Sequence, residues 1–316
     1  MSVAEADPQT VTDTPVGVTD QAAGSGYWDD LKADRVGMIG VCSLGLLFVI
    51  AIIAPLIAPY DPAAQNIIAR LKPPVWLAGG SWDHILGTDH LGRDVLSRLL
   101  NGARISLFVG FATVLLAGSF GVLMGLISGY AGGRTDQFIT AVTDTQVAFP
   151  GLLLALMILA VIGPSMTTVI VVLALNGWMV YTRITRSVVL SLRQTAFVEA
   201  AEILGCRTHR ILIRHLLPNL AAPLLTIGTL EFARIVLAEA ALSFLGLGVQ
   251  PPATSWGLDV AQGKDYMFRA WWLVTFPGLA IAFTVLAINL VASWLRVTTD
   301  PVEREKRYAR RVEAGL

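Results

Sequence analysis

An all-α polytopic membrane protein is the fold class that this sequence predicts, and three observations predict it. Apolar residues make up 54% of the 316 and charged residues only 15%, at a mean hydropathy of +0.65. A soluble domain rarely combines so much apolar sequence with so few charges. The apolar residues are gathered into six long runs, and about 20 such residues let a helix cross a hydrocarbon core about 30 Å thick. The polar segments between the runs carry helical patterning in their turn.

Residues 1–34 are rich in Ala, Asp, Thr, Gly and Pro and nearly lack large apolar side chains. They cannot bury enough surface to offset the entropy of ordering, which predicts a disordered tail. The tail does not open with the basic-then-apolar pattern of a secretory signal. The first span runs from Val36 to about Ala58, with Pro55 and Pro59 at its far end and Lys32 and Arg35 on its near side. The chain then stays polar to residue 104, so 35–104 reads as one span followed by an outer segment. Within it, 84–107 pairs Asp89 with Arg93 and Asp94 with Arg98 at i, i+4, acid first. That spacing supports a helix. Val95, Leu96, Leu99 and Leu100 give it an apolar face, so it is expected to lie along the outer interface.

The membrane domain proper is expected over 105–296. Its second span, about 105–129, holds Gly110, Gly118, Gly121, Gly125 and Gly129, and small residues at such spacing let helices approach closely in lipid. The third is about 138–162 and begins near Asp144; Gly163-Pro164-Ser165 then turns the chain. The fourth, about 167–190, holds Asn176, Trp178, Tyr181 and Arg183. The fifth runs from about Leu220 to Leu247, and the sixth over about 271–295. Residues 297–316 form a basic tail. With the N-terminus inside, the inner segments carry fifteen Lys and Arg against seven outside, which obeys the positive-inside rule and puts both termini and the 195–219 loop in the cytoplasm.

The longest helix-patterned stretch too polar to cross a bilayer is 195–219, TAFVEAAEILGCRTHRILIRHLLPN. Thr195 suits an N-cap, Gly205 a left-handed helix end, and Pro218 the next boundary. A helix–turn–helix follows, apolar on one side (Ala200, Ala201, Ile203, Leu204, Ile211, Leu212, Leu216) and basic on the other (Arg207, Arg210, Arg214). Glu199 has no Lys or Arg three or four residues away to pair with.

Several chemistries are excluded. A net charge of zero provides no field to attract nucleic acid. No G-x-x-x-x-G-K-[ST] is present, because Gly263-Lys264 is followed by Asp265, so this chain is not expected to hydrolyse ATP. H-E-x-x-H and G-x-S-x-G are also missing, and His84, His90, His209 and His215 all fall outside the spans. Cys42 and Cys206 lack metal spacing and read as inert thiols. The informative intramembrane charges are Glu231, Arg234 and Glu239, which must face protein or water because each would cost several kcal/mol against lipid. Glu231 and Arg234 stand at i, i+3 and can neutralise one another. Asp144, near an interface, reads as a solvated or capping acid.

The run Glu199-Ala200-Ala201, three residues, Gly205, nine residues, His215-Leu216-Leu217-Pro218 resembles the EAA loop of ABC-importer permeases. His215 stands where the general pattern has Ile. The ending from Arg214 to Asn219 is similar to the dipeptide/oligopeptide branch. The strings LGTDHLGRD at 86–94, AFPGLLLAL at 148–156 and EAALSFLGLG at 239–248 resemble that branch as well. The resemblance accounts for His84, Asp89, His90 and Asp94 without a metal. It implies the type I permease fold with six transmembrane helices in a bacterial plasma membrane. It also implies a heterodimer with a homologous permease, two ATPase subunits inside that carry ATP and Mg, and a solute-binding protein outside. No cofactor is expected on this chain. Glu199, Ala200, Ala201, Gly205, Arg207, His215, Leu217 and Pro218 would form the contact with the ATPase. Asp144, Glu231, Arg234 and Glu239 would line the pathway or an interface, Glu239 toward the partner permease. The rival reading is an ion-coupled secondary carrier using Glu231 and Glu239.

Overall fold

The structure, a computed structural model, describes residues 31–32 and 34–299. Most of the two expected tails, 1–30 and 300–316, lies outside the described residues. Among the described residues the chain is helical, with no strand and a single isolated bridge between Thr88 and Asp94.

Helix α1, Arg35–Ile57, starts at Asp34, whose carboxylate accepts the Val36 and Gly37 amides at 3.0 and 3.2 Å. Helix α2 is Val95–Ala131. The pair α3 (Gly133–Val147) and α4 (Gly151–Ile162) follows, then α5 (Met166–Leu192). Two short helices come next, α6 (Ala196–Ile203) and α7 (Thr208–Ile211). A π-helical turn at Leu212–Leu216 carries α7 into α8, Leu217–Phe244. Helices α9 (Trp256–Gly263) and α10 (Trp272–Thr299) complete the fold. Five rods are long and apolar enough to cross a membrane: α1, α2, α5, the continuous α7–α8 and α10. The bent pair α3–α4 supplies the sixth span.

Four expectations change. The second span begins at Val95 rather than 105, because the Asp94 carboxylate caps it by accepting the Ser97 amide at 2.8 Å. No separate interfacial helix exists over 84–107. Residues 84–94 form irregular turns, with Gly87 and Gly92 in left-handed conformations, and 95–107 are the first turns of α2. The third span is broken by 85° between Val147 and Gly151, where Pro150 lacks an amide proton and disfavours helix at Phe149. Pro218 does not end a helix. It sits in the first turn of α8, where the wide π turn before it accommodates the ring and its missing donor.

Lipid tails are as apolar as leucine, so these helices are joined by close contact and hydrogen bonding rather than by hydrophobic burial. Helices α2 and α5 pack along most of their length, and the glycines of α2 make this possible. A Cβ on Gly125 would stand 2.6 Å from Thr185 Cβ and 2.7 Å from the Thr182 carbonyl, and one on Gly129 would stand 2.9 Å from Val189 Cβ. The approach lets Thr182 Oγ1 donate to the Gly121 carbonyl at 3.1 Å. Next to this seam, Ala103 and Leu107 of α2, Phe232 and Val236 of α8, Trp256 of α9 and Ile288 of α10 form a buried cluster that also takes in Leu47 and Ala51 of α1.

Candidate functional site: a capped helical turn and two buried charge clusters

The turn after α6 is built by backbone hydrogen bonding. Gly205, at φ +73°, donates to the Glu202 carbonyl at 2.9 Å, and Cys206 donates to the Ala201 carbonyl at 3.0 Å. Together these form a Schellman motif, which satisfies the last carbonyls of α6 and reverses the chain in the few residues before α7. Thr195 occupies the N-cap position, but its hydroxyl donates backwards to the Leu192 carbonyl at 2.5 Å instead of capping α6. Val198, Ala201, Ile211, Leu216 and Leu220 are buried against Leu126 and Val189, which fixes the turn to the ends of α2 and α5. Tyr130 donates to Glu202 at 3.0 Å, and the Arg193 guanidinium lies 5.4 Å above the Tyr130 ring.

The outward face of the turn is apolar at its tip. Ile203 is 85% exposed and Leu204 81%, with Ile213 beside them. They stand among exposed Arg207, Arg210 and Arg214 around an open concavity of about 650 Å³. Glu199, Ala200, Gly205 and Pro218 are exposed, His215 and Leu217 are half-buried, and Ala201 points inward. The Glu199 carboxylate makes no hydrogen bond or ion pair among the described residues. Apolar side chains gathered at one tip and rimmed by charge are the composition that contact surfaces have.

The intramembrane charges separate into two environments. Arg234 Nε and Nη2 both donate to Glu231 Oε2, at 2.9 and 2.6 Å. Glu239 is fully enclosed by this chain rather than turned toward a partner. It accepts Ser243 Oγ at 2.7 Å and Ser106 Oγ at 3.3 Å, and Ser255 donates to Ser243 in turn. The cluster joins α2, α8 and the start of α9. Asp144 pairs with Arg183 at 2.6 Å on an exposed face.

A third cluster, between residues 89–98 and α9, was not legible as such from spacing. Asp89 accepts Arg93 Nε at 2.6 Å, and Arg93 Nη2 reaches Gln262 Oε1 at 2.7 Å. Arg98 pairs with Asp259 of α9, not with Asp94, and its Nε lies 2.9 Å from Asp259 Oδ1. Asp94 instead accepts Ser97 and contacts His84 Nδ1 at 3.0 Å. Burial pushes the Asp259 carboxyl up, opposed by the Arg98 guanidinium, and it pulls the Arg93 guanidinium down. The available signal was the pair of turn glycines, Gly87 and Gly92, which break the i, i+4 register that the charges suggest.

Residues 121–303 match the family described as "Binding-protein-dependent transport system inner membrane component". The chain belongs to this family. Residues 25–74 match the "N-terminal TM domain of oligopeptide transport permease C". The chain is 44% identical over 275 residues to the dipeptide transport system permease protein DppC of Escherichia coli K12, covering 87% of this chain and 92% of that one. It is 41% identical over 275 residues to the di/tripeptide transport system permease protein DppC of Pseudomonas aeruginosa, covering 87% and 91%. The solved MetNI methionine ABC transporter, in an inward-facing form, shares the fold: TM-score 0.53 at 18% identity, over 64% of this chain and 97% of that one. The family match spans the last third of α2 and all of α3 to α10, so this inner-membrane transport component carries the Gly205 turn and the Glu231–Arg234 pair inside its matched region. The 89–98 charges fall outside both matched regions.

Proposed function

We propose that the chain is one of two permease subunits of an ATP-driven importer. It forms half of a membrane pathway for di- and oligopeptides delivered by an extracytoplasmic binding protein. ATP and Mg belong to two partner ATPase chains, and the 195–219 turn passes their motion to the spans. The observation that carries this reading is the turn itself. Exposed Ile203, Leu204 and Ile213 stand beside Glu199 and three arginines whose side chains have no ion-pair partner among the described residues, on a turn closed by a Schellman end. The peptide class is supported by relatives named for dipeptide and di/tripeptide transport. The ion-coupled alternative fits less well, because it needs a free membrane carboxylate. Glu231 is tied to Arg234 and Glu239 is closed in by serines.

The test is ATP-dependent dipeptide uptake by the assembled complex. Gly205→Pro removes the Gly205 donor and its left-handed conformation, and Glu199→Lys reverses the free charge. Both are expected to abolish uptake while membrane insertion is retained. Wild-type uptake in either variant counts against the turn as the ATPase contact, and uptake that collapses with an uncoupler but ignores ATP favours the ion-coupled carrier.

A further inference from the structure

We propose that Arg234 receives the substrate's carboxylate as it passes the middle of the membrane. The inference rests on the peptide-transport reading above.

Arg234 sits near the middle of α8, against the middle of α5. A Cβ on Gly177 of α5 would stand 3.8 Å from Arg234 Nη2 and 3.9 Å from Glu231 Oε2. At that depth a guanidinium cannot be left against hydrocarbon. The Arg234 side chain is nevertheless 50% exposed, while Glu231 is 8% exposed. Its open side is therefore turned to water, a polar solute or the second permease subunit, and not to hydrocarbon. Glycine at 177 helps to keep it open, because a larger side chain there would lie over the guanidinium.

A polar strip lies on the neighbouring face of α5, toward α3 and α4. Asn176 and Arg183 share one face of α5, two helical turns apart. Alongside run Gln146 of α3, whose Oε1 accepts Trp178 Nε1 at 2.9 Å, and Asp144, which pairs with Arg183. Asn176 Oδ1 and the Tyr181 hydroxyl are buried without a hydrogen-bond partner among the described residues. The strip follows the broken pair α3–α4, and broken helices at mid-depth are where membrane pathways place their polar groups.

The pair geometry suits a passing carboxylate. Glu231 uses one oxygen to hold Nε and Nη2, and Nη1 makes no hydrogen bond among the described residues. A guanidinium edge of this kind matches a carboxylate. Glu231 offsets most of the charge, so the anion is held weakly enough to leave, which conduction requires.

Uptake of radiolabelled alanyl-alanine, free at its carboxylate, by the complex purified with its partner chains tests this. Arg234→Gln is expected to slow uptake about 10- to 100-fold, the worth of one hydrogen bond to a charged group. Arg234→Lys should lose less. The deciding variant is Glu231→Gln/Arg234→Gln, which leaves no buried charge unpaired and so guards against simple misfolding. If Arg234 serves the substrate, the double variant stays slow. Parental uptake in the double variant shows that the pair only neutralises itself and overturns the proposal, as does parental uptake in Arg234→Gln. Lack of any ATP-dependent uptake by the unaltered complex overturns the transport reading on which it rests.

Discussion

At the scale of single residues, the 89–98 cluster shows how the same side chains can be read two ways. Asp89, Arg93, Asp94 and Arg98 have the spacing of two helix-stabilising pairs, and pairs of that kind on an exposed helix contribute only about 0.2–0.5 kcal/mol each. In the structure they are buried, and Arg98 leaves its helical neighbour for Asp259, far along the chain. Removing one member of a buried pair strands the other, at a cost of about 3–5 kcal/mol, whereas replacing both with apolar groups is far milder. Asp259→Asn is accordingly expected to lower the melting temperature of the detergent-solubilised chain sharply. Arg98→Met/Asp259→Leu should recover much of the loss. Equal losses in the two would mean that the pair contributes through packing alone. Spacing along a chain reports only neighbours in sequence, so a partner such as Asp259 stayed hidden. Glu231 and Arg234 were legible because that pair is local. Gly205 was legible because its left-handed backbone is a property of one residue.

At the scale of elements, the six apolar runs translate into spans, and the glycine series at 110–129 into a helix seam. Run length and side-chain size are both written directly in the sequence. The 85° break before Gly151 and the π turn at Leu212–Leu216 were less legible. Each involves a proline, Pro150 or Pro218, and a proline's local effect depends on what the flanking helices pack against. The seam makes a sharp prediction. Gly125→Val would drive a side chain into Thr185 and the Thr182 carbonyl, and overpacking of this kind costs about 1–3 kcal/mol or more. Gly45 of α1 has nothing within 4 Å of a Cβ, so Gly45→Ala should be neutral or slightly stabilising, with an alanine gain of up to about 1 kcal/mol in a helix. Thermal unfolding in detergent compares the two, and similar effects at both sites would show that the seam is not tightly packed.

At the scale of the whole molecule, the excess of Lys and Arg on one side predicts an orientation, and Cys206 supplies a reporter. It is partly exposed beside the Gly205 turn, while Cys42 lies in α1. In a Cys42→Ser background, a membrane-impermeant maleimide is expected to leave intact cells unlabelled and to label inside-out vesicles. Labelling from outside intact cells would reverse the orientation and with it the proposed ATPase contact.

The unbroken helical course from Thr208 to Phe244 has a mechanical consequence. At about 1.5 Å per residue it forms a single stiff beam, with the basic turn at one tip, Arg234 partway along and Glu239 near the other tip. Its joints are the widened loop at Leu212–Leu216 and the interior Pro223, both toward the basic end. Torque applied there must therefore either be absorbed in those joints or swing Arg234 and Glu239, both beyond them, together as stations on one lever arm.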